Sequence, residues 1–94
     1  MKWMVVTHKV EDYDRWKPYF DEDMPYRKAA GTEKGILMRN LDDPNELVIA
    51  FQIADEAKAR EFAGDPRLEE VMKLAGVVGM PKIQFLEVIE ELDG

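Results

Sequence analysis

Two short runs of this 94-residue chain are apolar on both faces, and that restricts the fold more than any motif does. From 47 to 53, Leu47, Ile49, Phe51 and Ile53 occupy one parity, while Val48 and Ala50 occupy the other. In the run from Trp3 to Val10, Trp3 and Val5 likewise oppose Met4 and Val6. Successive side chains of a strand point to opposite sides of its sheet, so both faces around these strands need cover. A chain of this length buries only roughly 60 to 65% of the surface it exposes when unfolded, which makes its own cover scarce.

The remaining elements follow from local patterning. Trp3 to Val10 is rich in β-branched and aromatic residues, ends at Glu11-Asp12, and reads as a strand. Asp12 or Asp14 can cap a helix in which Tyr13, Trp16, Phe20 and Met24 recur at spacings of three and four on one face. Pro18 fits only the first turn of such a helix, and Pro25 should end or kink it before Tyr26 to Ala30 and Gly31. Residues 35–41 and 46–53 are strand-like and are joined by the turn formers Asp42-Asp43-Pro44-Asn45, which predicts a hairpin. A second helix starts behind Asp55, carries Ala59, Phe62 and Ala63, and stops at Gly64. Asp65-Pro66 restarts it, with Leu68, Val71, Met72 and Ala75 at helical spacing before Gly76. A loop bearing Gly and Val then leads through Pro81 to a last strand over 82–92.

The order β-α-β-β-α-β is the ferredoxin-like arrangement of the α+β class, a single domain over 1–94 with both helices on one face of a four-stranded sheet. Its first and third strands are central, and here they are the two-faced apolar runs. Two helices cover one face only. The simplest cover for the other is a second copy of the sheet, with the long last strand reaching across, so an obligate homodimer is predicted. The competing account is shielding of that face by long Lys and Arg stems.

Composition removes whole classes of function. With 46% hydrophobic and 35% charged residues the chain has the make-up of a globular domain. It carries 13 basic against 20 acidic residues, a net charge of −7, with the basic ones scattered, so nucleic acid and anionic membrane are poor partners. The absence of cysteine excludes disulfides, thiolate nucleophiles and iron–sulfur ligation, and with one histidine no transition-metal site of the usual kind is expected. Met1-Lys2-Trp3 leads directly into a strand with no apolar stretch of signal or transmembrane type, so cytoplasmic residence is the expectation. No glycine-rich phosphate loop or nucleophile elbow is present. The acid clusters Asp21-Glu22-Asp23, Asp42-Asp43 and Glu90-Glu91 lack calcium-loop spacing and read as solvated surface.

The strand around His8, the helix start Asp12-Tyr13-Asp14-Arg15-Trp16, the exit Arg27-Lys28-Ala29-Ala30-Gly31, the hairpin Asp43-Pro44-Asn45-Glu46 and the segment Ala75-Gly76-Val77 together resemble the dimeric α+β barrel superfamily, in particular its antibiotic biosynthesis monooxygenase-like and cyclase-type small domains. The likeness covers essentially the whole chain. It implies dimerisation and a pocket between helices and sheet. The implied activities are cofactor-free monooxygenation, lactone isomerisation, polyketide cyclisation or haem degradation, and many members have none assigned. The haem branch is disfavoured, because a strand histidine does not reproduce the helix-borne axial ligand of the haem-degrading relatives.

His8 is the one side chain with an unperturbed pKa near neutrality, and on the strand it shares a face with Met4 and Val6. Beside a helix-lined cavity it could act as general base on a phenol or enol; the structural alternative is a strand histidine satisfied by a backbone carbonyl. Tyr13, Trp16, Phe20 and Tyr26 could line a flat pocket for a planar substrate, or form core; the polar tips of Tyr13 and Tyr19 suit a rim. Arg27 could clamp a substrate carboxylate and Asn40 or Gln52 could supply a hydrogen bond to a carbonyl, although these residues, like Arg39, more often finish strand edges, cap turns or pair with acids. The expectation is therefore a homodimer that binds a small, mostly apolar, aromatic or polyketide-like molecule. As an enzyme it would work without cofactor or metal, with His8 catalytic and Tyr13, Trp16, Phe20, Tyr26 and Arg27 binding substrate. The alternative is a non-catalytic ligand-binding or assembly module.

Overall fold

Three aspartates start three of the four helices. In the computed structural model, which describes residues 1–94, the Asp12 carboxylate accepts from the Asp14 amide at 3.0 Å, Asp55 from Lys58 at 3.1 Å and Asp65 from Arg67 at 2.9 Å. These caps set the order β1 (Lys2–Val10), α1 (Tyr13–Glu22), α2 (Met24–Ala29), β2 (Thr32–Arg39), β3 (Glu46–Ile53), α3 (Glu56–Ala63), α4 (Pro66–Leu74) and β4 (Val77–Glu87). The strands form one antiparallel sheet in the order β2-β3-β1-β4. The ferredoxin-like α+β fold is thus present, with each of its two helices broken in two, and β1 and β3 central.

Sheet parity decides where the core lies. Met4, Val6, His8 and Val10 of β1 and Leu47, Ile49 and Ile53 of β3 are buried beneath the helices, which add Trp16, Ala59 and Leu68. On the opposite face, Val5 pairs with Ala50 and Ala50 with Ile36, Thr7 and Val48 are neighbours, and Trp3 pairs with Leu86. No element covers this second face: Ile36 is 53% exposed, Met38 45% and Leu86 47%.

Four local expectations are corrected. Helix α1 runs through Pro18, well past its first turn; the Asp14 carbonyl that loses its amide partner lies at an exposed position, where water can serve it. Met24 does not continue the buried stripe and is 46% exposed, because Asp23 interrupts the helix and shifts its phase. Asp23 is not solvated surface: it is buried at the α1–α2 junction, and its carboxylate accepts from Arg67 Nη1 at 2.9 Å. The last strand spans Val77–Glu87, starting five residues earlier than the expected 82–92, because it accommodates Gly79 and Pro81 in an irregularity opposite β1.

The hairpin between β2 and β3 forms where the turn residues stand. The Asn40 side-chain oxygen accepts from the amides of Asp42 and Asp43, and the Asp43 carboxylate accepts from the Asn45 amide. Gly76, at φ +85°, closes α4, and its carbonyl accepts from the Glu11 amide at 2.9 Å, which brings the end of α4 to the start of α1. No helix is long and apolar enough to cross a membrane.

Candidate functional site

The site begins with a break in the sheet. Thr7 pairs with Lys82 and Lys9 with Val78, so Gly79, Met80 and Pro81 of β4 stand opposite His8 alone. Gly79 takes φ +72°, which permits the arch, and Met80 projects into solvent. His8 keeps its place on the helix-facing side of β1, 6% exposed. Neither Nδ1 nor Nε2 has a hydrogen-bond partner in the protein. The backbone-carbonyl contact of the structural alternative is therefore not made. Burial without a partner disfavours the charged ring and lowers its pKa below the ordinary 6.5, so His8 is neutral at pH 7.

From His8 a row of planar groups runs along α1. Trp16 meets the imidazole edge-on at 5.4 Å between centroids, Phe20 stacks on Trp16 at 4.8 Å, and the Arg27 guanidinium lies 3.9 Å over Phe20. The spacing of Trp16 and Phe20 places both on the buried stripe of α1. Phe51 of β3 faces Phe20 at 6.2 Å. It lies across β2 because Gly35 opposite has no Cβ; a methyl there would stand 2.6 Å from the Phe51 ring.

These groups wall a cavity of about 60 Å³ between helices and sheet, closed on the helical side by Phe62, Leu68, Val71 and Met72. An open groove of about 460 Å³, bounded by α4 and the β4 arch, lies alongside and shares Ala63, Leu68, Met72 and Ile83 with it. Asp23 and Arg27 are the charged residues of the cavity wall. Arg27 is buried and donates one hydrogen bond, from Nη1 to the Phe20 carbonyl at 2.6 Å. Burial pulls its pKa down from the usual very high value, against the opposing pull of Asp23 and Asp21. No three His, Asp or Glu side chains converge as a metal-binding group.

The structure brings together His8, Trp16, Phe20 and Arg27, and leaves two other sequence candidates outside the cavity wall. Tyr13 is half-buried, 5.9 Å from Trp16, with Arg39 4.3 Å over its ring. Tyr26 is 54% exposed, and its ring is covered by Arg67 at 3.8 Å. Arg39 and Asn40 serve the protein surface and the hairpin turn, and Gln52 pairs with Trp3. Tyr19 does line the cavity. Sequence reasoning missed Asp23 and Arg67, whose contact spans 44 positions. It also missed the closure by α4, for which the stripe Leu68, Val71, Met72 and Ala75 was the available signal.

No family model and no curated protein sequence matches this chain. Several solved structures do match in fold. SnoaB, a cofactor-independent oxygenase from Streptomyces nogalater, superimposes with a TM-score of 0.75 at 14% identity, over 99% of this chain and 97% of that one. A monooxygenase from the gene ActVA-Orf6 of Streptomyces coelicolor, in complex with the ligand nanaomycin D, gives 0.67 at 21% identity, over 97% and 89%. A Bordetella bronchiseptica protein provisionally assigned as an antibiotic biosynthesis monooxygenase gives 0.75 at 13% identity, over 95% and 97%. The chain therefore has the α+β fold of the antibiotic biosynthesis monooxygenase proteins.

Proposed function

We propose that the protein is a cofactor-independent monooxygenase acting on a planar, electron-rich aromatic compound of the hydroxyanthrone or quinol kind. The observation that carries this reading is His8: a neutral imidazole in the wall of an apolar cavity, with both ring nitrogens buried and free of protein partners. A buried polar group without partners costs about 1–3 kcal/mol, and a substrate hydroxyl would relieve that cost by giving His8 its hydrogen bond. Likeness of fold to a cofactor-independent oxygenase supports the same reading.

The chemistry asks little of the protein beyond proton transfer and exclusion of water. His8 takes the phenolic proton, and the resulting anion delocalises onto the ring carbon that adds dioxygen. For a ring methylene the balance is one CH2 and one O2 giving one C=O and one water, with the substrate supplying all four electrons. Trp16 and Phe20 hold the ring plane, and the apolar wall keeps bulk water from the anion. Ligand pockets usually span about 300–1,000 Å³, so the cavity of about 60 Å³ has to open toward the neighbouring groove. Leu68 and Met72 form the shared partition, and unbranched Met72 can yield at small cost.

Oxygen uptake with 1,8-dihydroxyanthrone tests the assignment. One dioxygen consumed per quinone formed is expected, together with loss of turnover in His8→Phe. Full turnover in that variant would remove His8 from the mechanism. The small volume of the cavity favours a second reading, a binding protein without chemistry; binding of the anthrone with no oxygen uptake would establish it.

We propose also that the uncovered sheet face is buried by a second copy. Trp3, Val5, Ile36, Ala50 and Leu86 converge there with Val88 and Ile89 of the segment after β4, and burial of such surface stabilises at ~25 cal/mol per Å².

A further inference from the structure

We infer that the cavity selects a substrate carrying an anionic group, a carboxylate above all, and that Arg27 is its counter-ion. The inference rests on the small-molecule reading of the cavity and specifies the substrate class.

Arg27 is a buried cation in an apolar wall, yet no carboxylate lies within ion-pair distance of it. The two acids whose charge reaches it are already engaged: Asp23 is held by Arg67 at 2.9 Å, and Asp21 by Lys17 one turn earlier on α1. Around this end of the cavity Asp23 and Arg67 neutralise each other, and one positive charge remains. A guanidinium has five N–H donors, and Arg27 spends one on the Phe20 carbonyl. Its plane is set by stacking at 3.9 Å on Phe20, with Phe51 at 5.4 Å, and none of its uncommitted nitrogens is a buried atom without a partner, so these donors reach open space.

A largely desolvated cation with unspent donors and no carboxylate in contact gains when an anion arrives. Planar carboxylates fit the guanidinium fork through two parallel hydrogen bonds. His8 and Arg27 bracket the Trp16–Phe20 stack. A ring system lying along the edge of that row presents its hydroxyl to His8 and its carboxylate to Arg27. This polarity fixes which end of the substrate is deprotonated.

The test compares binding of 6-hydroxy-2-naphthoate and its methyl ester by calorimetry at neutral pH. The unaltered protein is expected to bind the acid at least about tenfold more tightly than the ester, the scale of a charge-assisted hydrogen-bonded pair. Arg27→Gln should bring the ratio close to one by weakening the acid alone, and Arg27→Lys should restore part of it. Equal affinities on the unaltered protein would overturn the inference while leaving the cavity reading intact. A ratio that persists in Arg27→Gln would also overturn it. Binding of neither compound at millimolar concentration would overturn both. The comparison of the two ligands on the unaltered protein decides the matter even if the variants fold poorly.

Discussion

His8 is costly to the fold, a buried side chain whose two ring nitrogens have no partner in the protein. Replacing a buried polar group that has no partners by an apolar one of similar shape is neutral or stabilising, so His8→Phe should melt no lower than the unaltered protein and gain on the order of 1 kcal/mol. The pH dependence has a definite sign. The folded pKa lies below the unfolded value of 6.5, so both states are neutral above pH 6.5 and the residue then contributes no pH dependence. As pH falls below 6.5 the unfolded chain takes up a proton that the folded chain refuses, and stability drops until the lowered folded pKa is reached. Denaturant titrations of both proteins should therefore diverge below pH 6.5, with the unaltered protein losing more; parallel curves would show that His8 is not held neutral. From sequence, His8, Trp16, Phe20 and Arg27 were legible as candidates because residue type and helical spacing announce them. Tyr26 was misplaced because the break at Asp23 rotates α2, a change of phase that aromatic spacing along α1 does not carry.

At the scale of elements, helix starts were the most legible feature, since a capping aspartate acts on its own local amides. The β3 boundaries also coincide with the apolar run. The start of β4 was not legible: Gly79 and Pro81 look like a loop, and only pairing with β1 across the His8 break makes them strand. Strand parity gives a sharp contrast between neighbours. Ala50 faces the uncovered side, and Phe51 faces the cavity. Ala50→Asp should leave the fold and its circular dichroism intact while weakening self-association by on the order of a hundredfold, because an unpaired carboxylate would enter the interface. Phe51→Asp should lose about 3–5 kcal/mol of a total usually between about 5 and 15, and give little soluble folded protein. Two variants with equal stability and equal mass in solution would contradict this division of faces.

For the whole molecule, the sheet has one covered and one open side. Its helix-facing side carries the cavity with His8 at one end and Arg27 at the other, and its open side carries Trp3, Val5, Ile36, Met38 and Leu86 with no helix or strand above them. Helices α1 to α4 are all committed to the first side. The need for external cover was readable in residues 3–6 and 47–53, because two-sided apolarity is a property of sequence alone. Cavity size was not, since it depends on how closely α4 approaches β1. The most direct measurement of this account is sedimentation equilibrium of the unaltered chain at micromolar concentration, beside Ala50→Asp. Twice the chain mass for the first and a single chain mass for the second is the predicted result; a folded, single-chain species for the unaltered protein would contradict it.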